Sequence, residues 1–96
     1  MRFREMEDSV RTLSQQVVDA YRSQFEKRGL RAELSFVERP FDGEAAGLEV
    51  RIELWKGNDL RDFMEMFAIR DGELVAPPSE FQEWLEEELE AILVAN

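Results

Sequence analysis

The stretch Leu48–Asp59, LEVRIELWKGND, decides the fold. Leu48, Val50, Ile52 and Leu54 alternate with Glu49, Arg51, Glu53 and Trp55. A period of two belongs to a strand, whose successive side chains point to opposite faces of a sheet. One face of that sheet therefore covers a core and the other carries charge and one tryptophan. KGND, at Lys56–Asp59, is turn chemistry that sends the chain back.

The flanking segments read as the partners of this strand. Upstream, Ala32, Leu34 and Phe36 alternate with Glu33, Ser35 and Val37 until Arg39-Pro40 stops the pattern, and PFDGEAAG makes a turn-rich connection. Downstream, Phe63 to Arg70 predicts a third strand that is apolar on both parities. Phe63, Phe67 and Ile69 form one set, and Met64, Met66 and Ala68 form the other. The pattern leaves open which set faces the core. Asp71-Gly72 is a short-range hairpin signal, with the return running through Leu74 and Val75.

A helix is expected on each side of these strands. Phe3, Met6, Val10, Leu13, Val17, Ala20, Tyr21 and Phe25 recur at three- and four-residue steps. At ~100° per residue they gather into one arc. Gly29 can adopt the left-handed conformation that ends such a helix, with Leu30 tucking back. The segment Ser79–Asn96, SEFQEWLEEELEAILVAN, sets Phe81, Leu85, Leu89 and Ile92 on a second apolar stripe. Ser79 reads as its N-cap and Gln82 as the capping-box partner. The expected fold is thus α+β in the order α-β-β-β(-β)-α. It is an antiparallel meander of three to four strands, with both helices packed on one face, in a single domain spanning 1–96.

Charge narrows the function. The chain carries 22 acids against 12 bases, a net charge of -10. Residues 1–30 hold six bases and five acids, 31–60 four and seven, and 61–96 two and ten. Direct binding to nucleic acid or to an anionic membrane is not expected, because both surfaces repel this charge. The expected partner is basic. With no cysteine and no histidine, disulfides, thiolate metal sites and imidazole catalysis fall away. No apolar run approaches the roughly 20 residues of a membrane span, and MRFREMEDSV lacks a signal-peptide core. We expect a cytoplasmic protein, of the producing or a host bacterial cell.

Two surfaces stand out as candidates. On the C-terminal helix Glu83, Glu86, Glu87 and Glu90 lie together opposite the apolar stripe, with Glu80 in the first turn and Trp84 at the stripe's edge. A solvated face of good helix formers is the plainer account of these glutamates. Against it, Glu83–Glu86, Glu83–Glu87, Glu86–Glu90 and Glu87–Glu90 are like-charge neighbours, each costing a few tenths of a kcal/mol. A face selected only for solubility would interleave lysine, and this one does not. Glu88 falls within the apolar arc, so the helix overhangs there or an arginine reaches it. The second surface is the open side of the sheet, where Trp55, Val37, Phe63 and Phe67 can form an apolar patch suited to a homodimer. A terminal segment or the loop 40–47 folded over it would be the alternative.

Asp-Gly-Glu occurs at residues 42–44 and 71–73 and could offer oxygens to a cation. Asp-Gly is above all a turn signal, and no metal or cofactor is expected. Neither a nucleophile elbow nor a phosphate loop is present, so we do not expect an enzyme. The element order resembles that of double-stranded-RNA-binding domains, which need a basic N-terminus on the second helix. SEFQEWLEEE has the opposite sign and argues against RNA binding. In size and acidity the chain also resembles small acidic inhibitors. Phage-encoded antagonists of bacterial nucleases, CRISPR inhibitors among them, and toxin immunity proteins are of this kind. That resemblance implies a nucleic-acid mimic whose acidic helix docks into a basic groove of a nucleic-acid-handling protein. The competing expectation is a homodimeric structural or chaperone-like protein that uses the open sheet face, centred on Trp55.

Overall fold

The computed structural model describes residues 3–39 and 47–96. The elements follow in the order α1 (Phe3–Glu26), β1 (Arg31–Arg39), β2 (Gly47–Lys56), β3 (Asp59–Arg70), β4 (Glu73–Leu74) and α2 (Pro78–Ala95). The four strands form one antiparallel sheet in the order β1-β2-β3-β4, with consecutive strands paired. Both helices lie against the same face. The fold is α+β, as the hydrophobic pattern predicts.

Burial explains the layering. Leu48, Val50, Ile52 and Leu54 of β2 are almost completely enclosed. Val10, Val17, Val18 and Phe25 of α1 and Phe81, Leu85 and Leu89 of α2 meet them in one core. Ala20, placed in the apolar arc by its spacing, is exposed instead, because the arc that packs is shifted toward Ser14, Val18 and Phe25. The end of α1 is set by hydrogen bonds. Gly29 takes φ 74°, its N–H donates to Glu26 O at 2.9 Å, and Leu30 N–H donates to Phe25 O at 2.9 Å. This pair of bonds is the Schellman arrangement, and buried Leu30 supplies the apolar closure that accompanies it.

The turns differ in how far the chain stays paired around them. Lys56 pairs with Asp59 across a two-residue turn in which Gly57 takes φ 61°. β3 therefore begins at Asp59 rather than Phe63. Its first four residues lack alternation because a bulge at Arg61 shifts the register between Leu54↔Asp62 and Trp55↔Leu60. A second bulge shifts it between Leu48↔Ile69 and Glu49↔Phe67. That extra residue settles the parity of the third strand. Met64, Met66 and Ala68 point toward the helices, and the bulge at Ala68 turns Ile69 inward beside them. Phe63 and Phe67 are left on the outer face. Gly47 sits against the second bulge, where a Cβ would lie 3.1 Å from Ile69 O.

Asp71 and Gly72 both take positive φ, at 53° and 77°, the mirror-image turn that suits a two-residue hairpin. The return strand covers only Glu73–Leu74, and Val75 N–H adds a bond to Ala68 O at 3.0 Å. The helix that follows starts earlier than Ser79. Pro78 occupies the first helical position and Pro77, at φ -56° and ψ 147°, is the cap residue with no side-chain bond. Proline's fixed φ suits that first position, and its ring holds the preceding residue extended. Ser79 is therefore already helical. Gln82 donates to Glu86 Oε1 at 2.9 Å instead of completing a capping box.

The Ser14 hydroxyl is enclosed within this core and has no hydrogen-bond partner among the described residues. Leaving a buried hydroxyl unpaired is unfavourable, and alanine is the better helix former. Ser14→Ala should raise the unfolding free energy by about 1 kcal/mol, seen as a higher denaturant midpoint at unchanged slope. A loss of stability instead would show that the hydroxyl has a partner in solution.

Candidate functional site: the acidic face of the C-terminal helix

α2 owes its place to five buried residues, Phe81, Leu85, Leu89, Ile92 and Leu93. Once they face the sheet and α1, the 3.6-residue period turns Glu80, Glu83, Glu87 and Glu90 to solvent. Glu83 and Glu87 lie on the line farthest from the core. Val94 follows them on that line and is 82% exposed, an apolar group outside the stripe. Nothing in the sequence marks Val94 as protruding except its position eleven residues after Glu83. Trp84 is half-buried and packs against the core by part of its ring. Glu88 is exposed with no cation of the described residues beside it, so the helix overhangs there.

The candidate carboxylates divide by their neighbours. Glu86 is half-buried on the flank toward α1 and accepts from Gln82. Glu90 accepts from the Tyr21 hydroxyl at 2.8 Å. Glu80, Glu83 and Glu87 accept no hydrogen bond from a described side chain. No described arginine or lysine pairs with any carboxylate of α2. Arg28, at the end of α1, does reach this helix, but its guanidinium donates to the backbone oxygen of Leu93. That contact places a cation at the negative end of the helix dipole, where it is favourable, and leaves the acidic face unneutralised.

The sheet's outer face contrasts with this. Its rows run Arg31–Trp55–Leu60, Glu33–Glu53–Phe63, Ser35–Arg51–Glu65 and Val37–Glu49–Phe67. Arg51 sits near the centre, paired with Glu53 at 3.1 Å and with Glu65, and its guanidinium lies 4.5 Å from the centre of the Phe63 ring. Glu49 was expected on an open surface. It is only 7% exposed, held by Arg39 at 3.4 Å. Phe63 is 51% exposed, and Trp55, Val37 and Phe67 are half-buried. Residues 40–46, which include Asp42-Gly43-Glu44 and most of the loop considered as a cover, lie outside the described residues. Asp71-Gly72-Glu73 serves the hairpin, and no group of acids with metal-ligand geometry occurs among the described residues.

The search against family models matches none, and no curated protein or solved structure matches the chain.

Tyr21 reports on the field of the acidic helix. Burial, then the hydrogen bond from Tyr21 to Glu90 and the charges of Glu90 and Glu86, push its phenol up from 10.0 to about 12. The folded chain thus holds the proton more tightly than the unfolded chain. This contribution to stability is complete below pH 10 and is lost as pH climbs from 10 toward 12. Tyr21 is the only tyrosine, so phenolate absorbance reads it alone. Glu90→Ala should bring the midpoint back toward 10, whereas an unchanged midpoint would show that the helix charges do not reach the phenol.

The unpaired glutamates make a second prediction. Glu83→Gln with Glu87→Gln should stabilise the protein by about 0.5–1 kcal/mol at low salt, through removal of like-charge neighbours. That gain should shrink as salt screens the wild type. Thermal melts across a salt series check it, and a gain independent of salt would refute the electrostatic cause.

Proposed function

We propose that this protein is a non-enzymatic inhibitor or adaptor whose α2 docks into a positively charged groove of a nucleic-acid-handling protein. The observation that carries this reading is the lack of compensation on α2. Six glutamates lie between residues 80 and 90 with no basic residue interleaved. Arg11, Arg22, Arg31, Arg39 and Arg51 pair with carboxylates of α1 and the sheet instead. At ~1.5 Å of rise per residue those charges occupy about 15 Å, or one per ~2.5–3 Å of axis. Duplex DNA carries one per ~1.7 Å of axis, and each of its strands one per ~3.4 Å. The helix therefore offers a cationic groove a charge density of the same order as nucleic acid, on a rigid element.

Glu80, Glu83 and Glu87 supply the outward charge in this reading, and Glu86 and Glu90 extend the field along the flank beside α1. Trp84, at the edge of the apolar stripe, and Val94, at the end of the outward acidic line, are the apolar anchors. Such a contact gains most of its speed from steering, so it is fast at low salt and falls off steeply as salt rises. The phage-type antagonist of a nuclease, the CRISPR inhibitor and the toxin immunity protein are finer versions of the same proposal.

Glu80→Lys, Glu83→Lys and Glu87→Lys together should abolish capture of basic proteins from a bacterial lysate while leaving the circular-dichroism melt close to that of the wild type. These three accept no hydrogen bond from a described side chain, so their reversal leaves the Tyr21–Glu90 and Gln82–Glu86 contacts in place. The wild-type capture should weaken with salt and be displaced by duplex DNA or heparin, which compete for the same groove. Captured proteins that ignore these polyanions, or that bind the triple variant equally well, would overturn the reading.

A further inference from the structure

We infer that the outer face of the sheet is a self-association surface, whose occupant is a second copy of this chain packed back to back. The inference stands apart from the acidic helix and does not need it. Its basis is the way this face handles charge in a molecule of net charge -10. Arg31 pairs with Glu33 at 3.0 Å, Arg39 with Glu49 at 3.4 Å, and Arg51 with Glu53 and Glu65. Arg70 lies over the Phe67 ring, its guanidinium 4.4 Å from the ring centre. Three of these arginines pair with Glu33, Glu49, Glu53 and Glu65, and the fourth, Arg70, stacks on Phe67. Covering the face would bury none of these four carboxylates without its arginine, and an unpaired carboxylate is the usual obstacle to burying a polar surface.

The same face exposes apolar area between these pairs. Phe63 is 51% and Leu60 42% exposed, although both sit on a strand of a two-layer fold. Their neighbours across β2 are Glu53 and Trp55. No described residue of the helices lies over them, because both helices pack on the opposite side. A strongly basic partner has no reason to choose a face whose charges are already balanced, and it would find the acidic helix more favourable. A second copy fits better, because a two-fold axis makes one patch complementary to itself. It brings together the one described broad face that does not add to the mutual repulsion of two anionic molecules. With the sheets back to back, the two α2 helices point outward on opposite sides, so self-association leaves the acidic faces free.

The two surfaces predict salt effects of opposite sign. The face's ion pairs are closed within each copy, so the net charges dominate the electrostatics of dimer formation and repel. Screening them should tighten the dimer, whereas docking of α2 on a basic groove should loosen with salt. Sedimentation and light scattering of the whole chain at tens to hundreds of micromolar should give twice the 11.3 kDa monomer mass, with the dimer fraction rising as salt is added. Phe63→Asp should raise the dissociation constant by at least about tenfold. Leu60→Lys should act in the same direction, and both variants should retain the wild-type far-ultraviolet spectrum, since each site is already solvated. A monomer throughout that concentration range, or a dimer indifferent to both substitutions, would overturn the inference. The lysine variants of α2 should dimerise normally, which separates failure here from failure of the helix-docking proposal.

Discussion

The column Leu48, Val50, Ile52 and Leu54 is the constraint on which the other parts of the molecule depend. β2 is paired on both sides, to β1 and to β3, and its inward residues are the most completely enclosed in the sheet. Both helices bury their apolar stripes against the layer that this column anchors. Because the side-chain period is two, the same register that puts these four residues inside sends Glu49, Arg51, Glu53 and Trp55 outside. A one-residue slip would exchange the two sets, burying three charges and exposing the core. The bulges in β3 leave this column undisturbed. They absorb the irregularity of Asp59–Asp62 and of Ala68–Ile69 on the neighbouring strand.

From that register comes a division of charge between the two sides of the molecule. The outer face of the sheet carries arginine and glutamate close together, within a strand as in Arg31–Glu33 and Arg51–Glu53 and across strands as in Arg51–Glu65, so these charges find partners at contact distance. Opposite charges on adjacent strands are favourable cross-strand pairs, and guanidinium groups over Phe63 and Phe67 add to them. The helix layer does the reverse. α1 mixes signs and pairs them, as in Glu7–Arg11 and Asp19–Arg22. α2 carries a single sign and pairs none of it among the described residues. A solubility requirement alone would act on the exposed parts of both layers in the same way. The contrast within one small chain is what sets α2 apart from the rest of the surface.

How much of this was legible in the sequence follows from the range of the interactions concerned. Alternation in β2 and the helical arc of α1 are local patterns reinforced by burial, and both elements appear where the patterns place them. Asp71-Gly72 was legible because a positive φ at both turn positions needs those residue types. The start of β3 was not. Asp59, Leu60, Arg61 and Asp62 pair with β2 only because Gly57 permits a tight turn, and a bulge has no signature in residue type alone. The start of α2 was misplaced by two residues because Ser79 has the chemistry of a cap, while Pro78 has the stronger constraint, a ring that fixes φ. Of the candidate site, the outward position of Glu83 and Glu87 follows from the stripe opposite them. The tie between Glu90 and Tyr21 joins residues 69 apart and depends on how the two helices pack, so no local pattern carries it.

The energetics show why an uncompensated acidic face can persist on a helix of 18 residues. As an isolated peptide α2 would be marginal at this length, and its like-charge neighbours would weigh against it. Four such pairs together oppose the helix by about 1–2 kcal/mol. Burial of Phe81, Leu85, Leu89, Ile92 and Leu93 acts the other way, at about 1.5–3 kcal/mol for each large apolar side chain as an upper range. Packing therefore exceeds repulsion several-fold, and the helix is held by its inner face whatever its outer face carries. The outer residues are thus free to vary without threatening the fold. A run of glutamates there with no lysine among them cannot be a requirement of folding, since neutral or mixed residues would fold at least as well.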